Sequence, residues 1–335
     1  MIRFGSTPAR IATRLLPVAI GASLLTSFAP HVDPLSSWND GSAKQRIVEF
    51  VSAVTNARNP DYLDSTKRIA VFDNDGTLWC EQPLYVQFVF MIDKLKAEAP
   101  KHPEWKDDSA FKALMSHDQK ALMAQEKPLL KLLGVANSGM TVDAYNREIV
   151  QWLATAKHPR FHRPYTDLVY KPMQELLAYL RANGFKTFVV SGGSVEFMRP
   201  WTASAYGIPP EQVVGSISDV KFEQQNGTPV LLREAGIAFV DDGPGKPVGI
   251  YRSIGHHPVA AFGNSDGDKE MLEITAAGKN RRLMLLVHHD DAVREYAYDR
   301  HSSVGRLDKA WDEAIQRDWI VVSMKNDWRR IFSFE

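Results

Sequence analysis

The chain has 335 residues, 44% hydrophobic and 24% charged, with 40 basic against 40 acidic side chains. That composition is globular and allows one large domain or two smaller ones. The zero net charge and the absence of a basic stripe argue against a nucleic-acid partner, and a single cysteine, Cys80, excludes an intramolecular disulfide or a multi-cysteine zinc site.

Arg3, Arg10 and Arg14 precede an apolar run from Leu15 to Ala29, and no acidic residue occurs before Asp33. A basic start followed by a short apolar stretch predicts a secretory signal peptide over residues 1–30, and so an exported, periplasmic or secreted protein. An uncleaved membrane anchor or an amphipathic leader are the alternatives. No later run is long enough to predict a membrane span.

Residues 30–42 read as a linker, and 43–57 carry apolar residues at helical spacing. Arg68–Phe72 predicts a short buried strand that ends at Asp73. From 84 to 157 the pattern is helical throughout. Alternation then returns, with a helix over Met173–Gly184, a strand over Phe185–Val190 and a helix over Val195–Tyr206. Short strand-like runs over 214–240 are separated by Asn226-Gly227, a hairpin signal. A short helix at Lys246–Ile254 and a strand at Pro258–Phe262 follow. Next come a helix at Asp268–Ala277 and a strand at Arg282–Val287. Leu307–Ile315 is amphipathic, and Trp319–Ser323 is strand-like. Strands and helices in this alternation predict an α/β fold with a mostly parallel sheet.

In such sheets, sites lie beyond the carboxyl ends of the strands. The first strand ends in Asp73-Asn-Asp-Gly-Thr77, the second in Ser191-Gly-Gly193, and a later one in Gly263-Asn-Ser-Asp-Gly-Asp268; Lys246 sits in a glycine-rich loop between the last two. Carboxylates, a hydroxyl with flexible glycines and a lysine suit a dianionic phosphate with a hard divalent cation. Taken alone, each is also an ordinary turn or helix cap.

In order and spacing, these motifs resemble the haloacid dehalogenase-like phosphatase superfamily, closest to its phosphoserine phosphatase-like branch, over about residues 66–288. The resemblance implies a Rossmann-like core at 31–78 and 169–335. It also implies a helical cap at 79–168, inserted after the first motif strand, that closes over the site. It makes Asp73 the nucleophile that forms an aspartyl-phosphate and Asp75 the acid and base. Ser191 and Lys246 complete the catalytic set, with Lys221 a competitor for the lysine role. Thr77, Gly192, Gly193 and Glu81 would bind the substrate, although Gln82 holds the better-aligned position for reading a substrate amine.

Magnesium would be held by Asp73, Asp75, Asn264 and Asp268. Here the sequence departs from the family pattern, because Asn264 stands where an aspartate is usual; an amide oxygen can ligate magnesium but brings no charge. Asp266 is an extra carboxylate that could compensate. The expected activity is hydrolysis of a small phosphate monoester. A catalytically weak binding protein of the same fold and a phosphotransferase are the rivals. The aromatic residues Trp79, Tyr85, Trp152 and Trp201 read either as core or as a cage for a quaternary amine. The pairs His256-His257 and His288-His289 read as metal ligands or as loop residues.

Overall fold

Four consecutive apolar residues, Ile69–Phe72, form strand β1, and all four are buried. In a strand, side chains alternate between faces. Ala70 and Phe72 therefore join the core on one side of the sheet, while Ile69 and Val71 join the core on the other. A strand sealed on both faces belongs at the centre of a sheet, and β1 pairs in parallel with β2 (Lys186–Ser194) on one side and β5 (Ala260–Gly263) on the other. The computed structural model describes residues 1, 2, 5, 33–116 and 126–335. The predicted leader falls almost wholly outside these residues. Residues Pro34–Glu335 form one compact unit.

Beyond β2 lie β3 (Val213–Gln225) and β4 (Thr228–Phe239); beyond β5 lie β6 (Leu283–Asp290), then β7 (Ala297–Tyr298) and β8 (Ile320–Ser323), which both pair with β6. The sheet order is β4-β3-β2-β1-β5-β6-β7, and only β4 and β7 run antiparallel to their neighbours. The chain leaves β1 towards β2 and later returns to β5 on the opposite side. A switch point thus opens at the carboxyl end of β1.

Helix α1 (Ser42–Thr55) covers one face with Ile47, Phe50, Val51 and Val54. Between β1 and β2 the main described elements are helices, joined by loops that carry only isolated bridges such as Trp79 to Val169. The α-helices are α2 (Val86–Glu98), α3 (Ser109–Met115), α4 (Glu126–Ala136), α5 (Val142–Thr155) and α6 (Lys171–Ala182). The first three share a separate apolar cluster that includes Phe88, Leu95, Trp105 and Phe111.

Two features differ from the sequence reading. The helix expected over Val195–Tyr206 is broken into α7 (Val195–Met198) and α8 (Thr202–Tyr206). Pro200 has no amide hydrogen for the ladder; Arg199 stays helical, and the backbone leaves helical dihedrals at Trp201, with φ −130°. The runs over 214–240 are two long strands closed by Asn226 and Gly227, both with positive φ, as a tight hairpin requires. This hairpin adds to the helical insertion: the Gly139 amide donates to the Arg233 carbonyl at 2.9 Å, and the Arg233 amide to the Met140 carbonyl at 2.9 Å.

Helices α9 (Gly245–Ser253) and α10 (Lys269–Ala276) pack on the sheet, and α11 (Lys309–Gln316) and α12 (Met324–Asp327) flank β8. No helix among the described residues is long and apolar enough to cross a membrane.

Candidate active site

The Asp73 amide donates to the Phe262 carbonyl at 2.9 Å, so the first carboxylate leaves β1 level with the end of β5. Lys246, near the start of α9, reaches across the sheet end. Its ammonium lies 2.7 Å from Asp73 Oδ1 and 2.5 Å from Asp268 Oδ1, and all three residues are buried. Burial pulls the lysine's pKa down, but the charges of Asp268 and Asp73 outweigh it and raise it overall. Burial also raises Asp73 well above the usual aspartate range, and Asp268 adds to this while Lys246 opposes it. Lys221, the competitor, is on the hairpin beside Glu223 and plays no part here.

Asp75 is half-buried. Its Oδ1 accepts from Trp79 Nε1 at 2.9 Å and its Oδ2 from the Asn74 amide at 3.4 Å. Burial raises its pKa, partly offset by the Trp79 bond. Gly76 has φ +73°, and a Cβ there would fall 2.1 Å from Asn264 Nδ2 and 2.3 Å from Glu81 Oε1. Only glycine meets both demands.

Ser191 is buried at the end of β2, and its hydroxyl oxygen accepts from the Gly193 amide at 3.1 Å. That leaves its O–H hydrogen available to a ligand. A Cβ on Gly192 would touch Asp242, and one on Gly193 would come within 3.1 Å of Gln87 Oε1. Gln87, on α2, accepts from the Ser194 amide at 2.8 Å. The helical insertion is thereby tied to the Ser-Gly-Gly turn.

Asn264 is at the heart of a buried network. Its Oδ1 accepts from the Thr77 hydroxyl at 3.1 Å and its Nδ2 donates to Glu81 Oε1 at 2.7 Å. Thr77 therefore braces the loop. Glu81 also accepts from the Tyr298 hydroxyl at 2.7 Å. Burial raises its pKa well above the usual range; the Tyr298 bond opposes this, and the nearby charges of Asp75 and Asp73 reinforce it. Gln82 turns away towards Ser302 and Val304. Of the two residues weighed at this place, only Glu81 adjoins the carboxylate cluster.

Asp268 Oδ2 accepts from the Asn264 and Ser265 amides at 2.9 and 3.0 Å. Asp266 does not compensate for Asn264. Its Oδ1 accepts from the Asp308 and Ala310 amides at 2.9 and 3.0 Å, and so caps α11. Asp241, which no sequence motif singles out, is fully buried behind Lys246 with no hydrogen-bond partner for either oxygen. Burial raises its pKa to about 7, with Lys246 pulling it down and Asp242 adding to the rise.

Of the oxygens proposed for magnesium, Asp73 Oδ2 and the Asp75 main-chain carbonyl accept no hydrogen bond from the described residues. The Asn264 oxygen is already bonded to Thr77, and Asp268 to Lys246 and two amides. No group of three or more His, Cys, Asp or Glu side chains among the described residues is arranged to hold a metal. This set fits an ion that keeps several waters, as magnesium does with one or two carboxylates, and does not form an all-protein cage.

The remaining suggestions from the sequence resolve as structure. Trp79 and Trp201 stack at 4.3 Å within the core, and Trp152 stacks on Tyr165 at 5.5 Å. His256 and His257 are exposed, while His288 packs against Trp311 at 4.3 Å.

The sequence profile of the haloacid dehalogenase-like hydrolases matches residues 70–273. The chain belongs to that family. No curated protein matches it in sequence. Among solved structures, a functionally unknown protein from Anaerococcus prevotii DSM 20548 is similar at TM-score 0.53 and 14% identity, over 83% of this chain and 91% of that one. A protein of unknown function from Bordetella pertussis Tohama I matches at TM-score 0.49 and 14% identity, over 77% and 99%. A phosphoserine phosphohydrolase-like protein from Francisella tularensis subsp. tularensis SCHU S4 matches at 0.38 and 14%, over 78% and 95%. The first of these supports the fold alone. In this hydrolase the matched span covers the Asp73 loop, the Ser191 turn, Lys246 and the Asn264–Asp268 loop, but not His289, Glu295 or Tyr298, which pack behind the Asp73 loop.

Proposed function

We propose that this hydrolase is a magnesium-dependent phosphatase that cleaves a small phosphate monoester through an aspartyl-phosphate on Asp73. The observation that carries the reading is Lys246, buried and bonded to both Asp73 and Asp268. A buried ammonium shared by two carboxylates holds the nucleophile in one orientation and supplies positive charge where a phosphoryl group would gather negative charge.

Asp73 attacks phosphorus while the leaving alkoxide takes a proton from Asp75. Asp75 then removes a proton from the water that hydrolyses the aspartyl-phosphate. Its raised pKa suits the first of these roles. The Ser191 hydroxyl and the Gly192 amide face the transferred group. Magnesium, held by Asp73 and the Asp75 carbonyl with Asn264 beside them, would neutralise phosphoryl charge. The helices at 79–168 serve as a cap, joined by the β3–β4 hairpin, and Glu81 is the candidate contact for a substrate's polar group. The substrate belongs to the small phosphorylated metabolites. A signal at residues 1–30 would place the reaction outside the cytoplasm; recovery of the intact leader in the soluble cytoplasmic fraction would contradict that.

Asp73→Asn should abolish turnover of p-nitrophenyl phosphate while circular dichroism shows an unchanged fold. Turnover retained in that variant would remove the proposed nucleophile. Asn264 and its engaged oxygen favour one rival, a weak binder of phosphate esters. A magnesium titration that raises no hydrolysis across a panel of phosphate esters would support that rival.

A further inference from the structure

The segment from His289 to Gly305 closes over the back of the loop that carries Asp73 and Asp75. His289 Nε2 lies 2.8 Å from the Gly76 carbonyl oxygen, and its Nδ1 lies 3.2 Å from Glu295 Oε2. Glu295 also accepts from the Cys80 thiol at 2.9 Å, the Tyr170 hydroxyl at 3.3 Å and the Tyr296 amide at 2.7 Å. The Tyr298 ring stacks on the imidazole at 4.4 Å, and its hydroxyl donates to Glu81. His289 and Glu295 are 2% and 0% exposed. The titratable and charged groups around this pair are Cys80, Glu81, Tyr170, Tyr296 and Tyr298, with His158 beside Cys80 and the Arg160 guanidinium on the Glu295 carbonyl.

A carbonyl oxygen only accepts, so Nε2 must carry a hydrogen. Nδ1 faces Glu295 Oε2, and that carboxyl group, itself held by the Cys80 thiol, the Tyr170 hydroxyl and the Tyr296 amide, fixes the plane of the ring.

What this holds in place matters. Gly76 is the residue of the loop with most backbone freedom, and its peptide determines where the Asp75 carbonyl and carboxyl point. Trp79 holds Gly76 from one side, its carbonyl accepting from the Gly76 amide at 2.9 Å. His289 holds it from the other. We propose that His289, oriented by Glu295, is a positioning residue that donates from Nε2 to the Gly76 carbonyl and so aims Asp75. The inference rests on the phosphatase reading for its kinetic arm only.

Ring-nitrogen NMR on the ¹⁵N-labelled full chain supplies the other arm, with His289 assigned by comparison with His289→Leu. Nε2 should carry a hydrogen in the folded protein; a ring whose hydrogen sits on Nδ1 with Nε2 bare would overturn the proposal. For p-nitrophenyl phosphate, His289→Leu should lower kcat on the order of 100-fold, with KM changed by less than about threefold. His289→Gln keeps one donor for the Gly76 carbonyl and should recover about tenfold of that loss. A wild-type kcat in folded His289→Leu overturns the proposal. If that variant does not fold, His289→Gln against wild type decides, a kcat unchanged within about twofold counting against it. Wild-type protein that hydrolyses no phosphate ester would sink the phosphatase reading instead, and the Nε2–H signature would then decide this proposal by itself.

Discussion

At the residue scale, the site is built from charges that burial would penalise if they stood alone. Lys246 relieves Asp73 and Asp268, but Asp241 has no such partner. Its folded pKa, about 7, lies above its unfolded value, so between those two values the native state binds a proton that the unfolded state has lost. Stability should therefore fall as pH rises through that window. The fall should be a few kcal/mol at most, because each tenfold difference in proton affinity between the two states is worth about 1.4 kcal/mol. Asp241→Asn removes the titration. Its stability advantage over wild type in urea unfolding should be larger at pH 8 than at pH 5; an equal advantage at both would show that Asp241 does not titrate this way. In the sequence, Asp241 is one more acid in a glycine-rich loop. Its isolation is a property of the packing of α9, where a Cβ on Gly249 would come within 2.0 Å of its oxygen.

At the element scale, the strand-end motifs were legible because strand, turn and helix signals are local. β1 and β5 ended close to where their apolar runs ended, whereas β2 ran on past Val190 through Ser191-Gly-Gly193 to Ser194, because β3 continues to pair with it there across a register shift. The broken helix at Pro200 and the hairpin's reach were less legible. Residues 213–239 alternate weakly because much of the hairpin is exposed, and its partner is a helical segment some ninety residues earlier in the chain. Gly134 on α4 marks that contact: a Cβ there would approach the Ala235 carbonyl to 2.5 Å. Gly134→Ala gains helix propensity, yet it pushes on backbone, and the net loss should be about 1–3 kcal/mol. Amide exchange at Leu232 and Arg233 should accelerate with it. Unchanged exchange there would mean that the hairpin does not depend on α4.

At the scale of the molecule, the two ends of the Pro34–Glu335 unit meet. Trp38 and Trp328 pack edge to face at 5.9 Å, and the Asn39 amide donates to the Asp327 carbonyl at 2.8 Å. Trp328, Ile331 and Phe332 are buried, and each contributes about 2–3 kcal/mol by its apolar area. Deleting Trp328–Glu335 should lower the thermal midpoint by about ten degrees or more. A midpoint within about two degrees of wild type would show that the C-terminal end is not part of the cooperative unit.

From the sequence alone came the α/β class, the family resemblance and the set Asp73, Asp75, Ser191, Lys246, Asn264 and Asp268, because strand ends and glycine-rich turns are written in neighbouring residues. Only the tertiary structure decided that Lys246 and not Lys221 meets Asp73, and that Glu81 and not Gln82 adjoins Asn264. It alone brought His289 and Glu295 behind Gly76. Those choices depend on which strands pair across the sheet and which side chains lose their water together, and no local pattern encodes either.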